Sequence, residues 1–365
     1  MSIYTSNPKL NNLNKKKLLN KVFKEFINKG EYILSDQTKK FERRFANFIG
    51  SKFCIGVANG TDAIKLVLKS LEVKEGDEVI VSSHTALATI SGIEGSGAKP
   101  VLADIEKDYF TIDFNSFKKL ITKKTKAVIL VHIYGQSCEI NSFKRYCNRN
   151  NIYLIEDVAQ AHGAKYKNKK LGSIGIAGCF SFYPTKNLAA LGDGGAITTN
   201  SKSIAKKLYQ LRQYGWNEKR NVNSLKGINS RLDELQSYFL NIKLNYLEHE
   251  NKKRILIAKR YDNFLSNRII KPKIRPESQH VFHIYCIQVK DRNKLMKYLK
   301  LKNIFLSIHY EKEIFKNKSY KNIKKEKKMN NIINLYKHNL SLPIYPELSI
   351  NQQMKVIRAI NEFYE

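Results

Sequence analysis

The sequence is poor in acid: across its 365 residues, 32 Asp and Glu stand against 65 Lys and Arg, a formal charge of +33. Such an excess raises nucleic acid, a membrane surface or an anionic ligand as partners. No arginine-rich arm, zinc-ligand spacing or helix-turn-helix pattern accompanies it, and the lysines are scattered among many Asn and Ile, which argues against nucleic-acid binding as the main role and favours a small anionic substrate. Cysteine is scarce as well. The five present are odd in number and show no CxxC, so neither a disulfide framework nor a metal site is expected, and reduced thiols of a cytoplasmic protein are. Long apolar runs are missing: "MSIYTSNPKLNNLNKKKLLN" holds none, and "AVILVHIYG" is too short to span a bilayer, so no export or membrane anchoring is expected. Only seven prolines interrupt a chain that is 42% hydrophobic, which is a globular composition with room for a large core.

What is present is a rhythm. From about residue 53, short apolar runs alternate with amphipathic stretches: "KFCIGVA", "TDAIKLVLKSL", "DEVIVSS", "TALATISGIEGSG", "KPVLADI", "SFKKLITKKT", "KAVILVHIYG", "INSFKRYCNRN" and "IYLIEDV". Repeated βα units and a largely parallel sheet follow, with "GCFSFYP" and "GAITTN" as two further strands. From Leu232 to about Leu265 the pattern is a charged, broken helical region that leads to a second part, so residues 1–245 are expected as a large domain and 246–365 as a smaller one. In the latter, "HVFHIYCIQV" reads as a strand, "FKNKSYKNIKKEKKMNN" as a surface loop with helix, and a closing helix follows "LPIYPELS". There is no internal repeat.

Three stretches carry chemistry. In "VANGTDAIKLVLKSL" a strand ends at Ala58, Asn59 and Gly60 turn, and Thr61 opens a helix whose free N–H groups make an anion site, although an ordinary cap looks the same. In "IYLIEDVAQAHGA" an apolar strand ends in Glu156 and Asp157, followed by Gln160 and His162. A carboxylate there needs a cation: an internal salt bridge, Mg²⁺ or a protonated pyridine nitrogen would serve. In "CFSFYPTKNLAALGDGGAITTN", Ser181 and Lys186 follow a strand, and Pro184, Thr185 and "GDGG" specify a tight turn around the lysine rather than a solvated face. An anion-binding helix start, a carboxylate for a pyridinium, an amide and a nucleophilic lysine are together what pyridoxal 5′-phosphate requires of a protein.

"LIEDVAQAHGA", "FSFYPTKNLAALGDGGAI", "GINSRLDELQ" and "SLPIYPELS" closely resemble the DegT/DnrJ/EryC1/StrS family of sugar aminotransferases, from about Lys29 to Asn361. The resemblance implies the fold-type-I, aspartate-aminotransferase-like α/β fold, with a mostly parallel central sheet in a large pyridoxal-phosphate domain, a smaller C-terminal α+β domain, and active sites shared across a homodimer. It makes Lys186 the cofactor-carrying lysine, Asp157 the partner of the pyridine nitrogen and Gln160 a neighbour of the ring hydroxyl. Gly60, Thr61, Asp62 and Ser181 match the phosphate-binding stretch, and Asn229 in "GINSR" matches the residue that reaches the phosphate from the other subunit. His309 and Tyr310 in "SIHYE", with Tyr183 and Arg231, fall on the sugar-nucleotide side; Arg212 and Arg220 are further basic candidates. Two positions depart from the family pattern. Ala86 stands where an aromatic residue often stacks on the ring, so that stacking passes to His84, to another residue, or is absent, and Ala189 stands where glycine is commoner.

Lysine rather than histidine at 186 implies transamination, not the dehydration of a related branch. By resemblance the donor is L-glutamate and the acceptor a nucleotide-diphosphate-linked keto-6-deoxyhexose. "YPTKNLAALGDGGA", "LRQYGWNEKR" and "NSRLDELQ" most resemble the branch that aminates C3 of dTDP-3-keto-6-deoxyhexoses, which implies an amino-dideoxy sugar of surface polysaccharide or a glycosylated metabolite. The alternatives are a perosamine-type C4 aminotransferase on a GDP-, UDP- or dTDP-linked 4-keto sugar, and a regulatory or DNA-binding relative.

Overall fold

The expected βα units are present in the computed structural model, which describes residues 2–217, 219–222 and 226–365. Eight strands form the main sheet: β1 (Phe53–Val57), β2 (Glu78–Ser82), β3 (Lys99–Ala103), β4 (Thr125–Val131), β5 (Tyr153–Asp157), β6 (Ala177–Ser181), β7 (Gly195–Thr199) and β8 (Lys324–Lys325). Their order is β8-β3-β2-β4-β5-β6-β7-β1. Every neighbouring pair is parallel except those of β7, which runs antiparallel to both β6 and β1. All five residues of β2 and of β7 are buried, as a sheet covered on both faces requires.

Side chains alternate between the two faces. Val79, Val81, Ile129 and Ile155 pack with Ala63, Leu66 and Val67 of the helix Gly60–Ser70. Ile80, Val128, Leu130 and Phe180 turn the other way, onto Phe41 and Phe45 of the helix Asp36–Ile49. The broken helical region resolves into Glu234–Lys243 and Leu247–Phe264. Beyond it, Tyr285–Gln288 pairs antiparallel with Asn339–Leu342, and a third core of Tyr261, Tyr285, Leu340 and Ile360 forms under the helices Leu247–Phe264 and Ile350–Tyr364. The closing helix starts at a capping box in which Ser349 and Gln352 exchange backbone and side-chain bonds.

Two pairings depart from the simple run of elements. Ile3–Tyr4 pairs in parallel with Ile304–Phe305, and Ile3 joins the third core. The lysine-rich stretch read as loop and helix contains β8, an edge strand of the main sheet whose Lys324 reaches Glu78 Oε1 at 2.6 Å. Two residues carry no detectable period, and lysine on an edge strand discourages pairing with another chain. All five cysteines are buried and unpaired, and among the described residues no helix is long and apolar enough to cross a membrane.

Candidate active site

The C-terminal ends of β1, β5 and β6 meet at one cavity of about 230 Å³, the edge where ligands sit in open parallel sheets. Strand β1 hands over to the helix Gly60–Ser70 through Asn59, whose Oδ1 accepts the Asp62 N–H at 2.8 Å. Gly60 and Thr61 line the cavity and leave the first N–H groups of the helix to face it. Close approach requires glycine here. A Cβ on Gly60 would lie 2.7 Å from Ser181 Cβ, and one on Gly195 would lie 2.5 Å from the Asn59 backbone. The helix start, β6 and β7 therefore close into a tight seat for an anion.

At the tip of β5 the two acidic neighbours part company, because consecutive strand residues face opposite ways. Glu156 turns from the cavity and accepts from the backbone N–H of Gly172, Ile174 and Gly175, each at 2.8 Å, with His132 Nε2 at 3.1 Å. Burial alone would raise its pKa, but these donors outweigh it and hold the carboxyl below its usual range. Asp157 faces the cavity. Its Oδ1 accepts from Ala159 N at 3.0 Å and its Oδ2 from Thr89 Oγ1 at 2.9 Å, and Thr89 is held in turn by Thr85 at 2.7 Å. Burial dominates and pushes its pKa up, so its charge is under-compensated and suits a cationic partner. Gln160 is fixed at both ends: Oε1 accepts from Tyr134 N at 2.8 Å, and Nε2 donates to the Tyr310 hydroxyl at 3.0 Å.

Lys186 completes the cavity from the turn after β6, where its N–H donates to Tyr183 O at 2.9 Å. The side chain is half-buried. Loss of water lowers its pKa from 10.5 to about 8, against the opposing pull of Asp157. A lysine in that range supplies the unprotonated amine that nucleophilic chemistry requires. Ala189, in the same turn, does not adopt a positive φ, so its methyl group is accommodated without strain.

Of the residues expected at a site, Gly60, Thr61, Asp157, Gln160, Ser181, Tyr183 and Lys186 line this one cavity. Asp62 sits one turn position away, capped by Asn59. His162 packs its ring against Phe180 and Phe182 and does not line the cavity. Nor does His84: Ala86 and Ala88 form the wall there, and the His84 ring is wholly buried behind it against Tyr134 and Tyr336. Tyr310 reaches the site through Gln160, while His309 Nδ1 lies 2.9 Å from Ser341 Oγ and burial holds its pKa at about 4. Asn229 is exposed and outside this cavity, bridged to Gln213. Arg231 is half-buried without a hydrogen bond or ion pair among the described residues. Arg212 is taken up elsewhere, ion-paired with Glu42 and donating to Gly56 O at 2.9 Å, and Arg220 lies over the Trp216 ring. Asn59, Thr85, Thr89 and Asp193 belong to the site without having been expected; Asn59 carried a signal, as a capping residue type at the turn from strand to helix.

The sequence model of the DegT/DnrJ/EryC1/StrS aminotransferase family matches residues 14–361. A relative from Aneurinibacillus thermoaerophilus, dTDP-3-amino-3,6-dideoxy-alpha-D-galactopyranose transaminase, is 42% identical over 353 residues, covering 96% of this chain and 97% of its own. Among solved structures, S. venezuelae DesV in complex with a ketimine intermediate superposes with a TM-score of 0.96 at 32% identity, over 100% of this chain and 99% of that one. NtdA from Bacillus subtilis with bound cofactor PMP gives a TM-score of 0.89 at 26% identity, over 95% and 81%.

Proposed function

Because the chain belongs to the DegT/DnrJ/EryC1/StrS aminotransferase family, we propose that it uses pyridoxal 5′-phosphate to move an amino group from L-glutamate to C3 of a dTDP-linked 3-keto-6-deoxyhexose. The product would be an amino-dideoxy sugar, as the name of the Aneurinibacillus relative supports. The observation that carries the reading is the meeting of Lys186, Asp157 and the helix start at Gly60 on one cavity.

The donor set fits the cofactor. The helix N–H groups with Thr61 and Ser181 would hold its phosphate, Asp157 its ring nitrogen, and Gln160 would lie beside its ring hydroxyl. When bound, the cofactor supplies a cationic ring that takes up the electrons of a carbanion. Asp157 would hold the proton on the ring nitrogen, a role that its own shortage of compensation favours. Lys186 would hold the cofactor through Nζ, and its free amine would carry a proton to and from the donor α-carbon. An amine with a pKa of about 8 both accepts and returns that proton near neutrality. Tyr183, His309, Tyr310 and Arg231 are proposed on the acceptor side. Asn229, exposed and outside the cavity of its own chain, is proposed to reach the partner's site in a homodimer.

Comparing turnover of 3-keto and 4-keto sugar nucleotides with L-glutamate tests the regiochemistry. Amination of the 3-keto compound supports it, and activity confined to the 4-keto compound overturns it in favour of a perosamine-type enzyme.

A further inference from the structure

Behind the alanine wall of the cavity lies a chain of hydrogen bonds that the proposed chemistry does not use. His84 Nε2 is 2.8 Å from the Tyr134 hydroxyl, and Nδ1 is 3.3 Å from the Tyr336 hydroxyl. The Tyr134 hydroxyl also donates, over a short distance, to the carbonyl oxygen of His309. A carbonyl only accepts, so the single Tyr134 proton is committed there. Its oxygen must then accept from His84, which places the imidazole proton on Nε2 and leaves Nδ1 to accept from Tyr336. The Cys286 thiol borders the same hydroxyl and, as a weak partner, does not reverse this direction. The chain runs one way: Tyr336 to His84 to Tyr134 to the His309 carbonyl.

Its end point joins the site. Tyr134 holds His309 with its side chain and Gln160 with its backbone N–H, from a left-handed conformation with φ of 61°. Gln160 in turn donates to the Tyr310 hydroxyl. Asn339 Nδ2 adds a second bond to the His309 carbonyl at 3.1 Å. His309 and Tyr310 are thus gripped from three places in the chain: by Tyr134 in the turn after β4, by Gln160 after β5, and by Asn339 at the start of the strand Asn339–Leu342. Burial lowers the His84 pKa to about 3, so the ring stays neutral and the direction persists through the physiological range.

We propose that His84, fixed as its Nε2–H tautomer, is a positioning residue that sets the His309–Tyr310 segment through Tyr134 and thereby governs binding of the sugar acceptor, not capture of the cofactor. This rests on the aminotransferase reading above, with His309 and Tyr310 on the acceptor side. His84→Phe and the near-isosteric Tyr134→Phe both break the chain, whereas His84→Gln keeps a donor near the Nε2 position. The two phenylalanine variants are expected to raise KM for the keto-sugar about tenfold, the scale of one lost buried hydrogen bond. Their effects should be non-additive in the double variant. Pyridoxal phosphate affinity and the single-turnover half-reaction with L-glutamate should stay within about twofold of wild type, and His84→Gln should recover most of the KM. Equal losses in both half-reactions, or an unchanged KM, would overturn the proposal. A measurement independent of any activity is the ¹⁵N spectrum of the histidines in the cofactor-free protein. A neutral His84 protonated at Nε2 from pH 6 to 8 is expected, and an Nδ1–H tautomer or titration in that window refutes the relay even if the substrate were another sugar.

Discussion

Adding one methyl group at Gly60 tests whether the helix start is the anion seat. Its Cβ would stand 2.7 Å from Ser181 Cβ and 3.3 Å from Ser181 Cα, where ordinary contact begins near 3.4 Å. The helix and β6 would have to part by at least about 0.7 Å, since a close-packed interior offers no slack. Neither side is a flexible side-chain tip: one is the first turn of a helix, and the other is a strand end backed by β7 through Gly195. Overpacking of this kind costs about 1–3 kcal/mol. If relieved by retreat of the helix, that cost appears as loss of anion binding, between about fivefold and about 150-fold in Kd. Titration of Gly60→Ala with pyridoxal phosphate, followed by absorbance, measures it directly. Gly192→Ala is the control, because its nearest neighbour, Gln236 Nε2, is 3.4 Å away and no positive φ is involved. A Gly60→Ala protein that binds the cofactor as wild type does would refute the placement of the phosphate at this turn.

Three further outcomes follow from the electrostatics. In the cofactor-free protein, Lys186 should react with amine reagents with a midpoint at about pH 8, which at that pH makes its free-amine fraction about two orders of magnitude larger than for an ordinary lysine; mass spectrometry of labelled peptides reads this, and a midpoint near 10.5 contradicts it. Asp157→Asn removes the charge that holds the Lys186 pKa up, so the midpoint should move lower still, while kcat falls on the order of a thousandfold through loss of the ring-nitrogen proton. Glu156→Gln sets an amide N–H₂ against a site built of donors and should cost about 3 kcal/mol in denaturant unfolding at pH 7. The folded pKa of Glu156 lies below its ordinary value, so its contribution is present above about pH 4.5 and fades as pH falls through the folded value; the gap between wild type and variant should close in acid.

Much of this arrangement is legible in the linear chain. Strands β1 to β7 are five to seven residues long, each built on a short apolar run, and the helix Gly60–Ser70 announces itself by its cap and apolar stripe. Lys186, Asp157 and Gln160 could be brought together on paper because one cofactor requires all three. What escaped has no local signature. Two-residue strands at Ile3–Tyr4 and β8 are defined by partners 301 and 223 residues away, not by period. Asp157 was assigned from the sequence, but the role of its neighbour Glu156 was not: only the face of the strand shows that it is a structural anchor held by Gly172, Ile174, Gly175 and His132. Arg212 reads as one more cation until Glu42, 170 residues earlier, is seen to claim it. His84 was expected as a ring-stacking residue because Ala86 could not be, yet its partners come from Tyr134 and Tyr336, and only the fold puts a tyrosine on each nitrogen.

The most direct measurement is the visible absorption spectrum of the purified protein with pyridoxal phosphate, before and after L-glutamate, beside Lys186→Ala. The account predicts an absorption band that forms in wild type, bleaches with glutamate, and fails to form normally in the variant. Absence of the band at saturating cofactor, or an identical band and bleaching in Lys186→Ala, would contradict the assignment of Lys186 as the residue on which the proposed transamination turns.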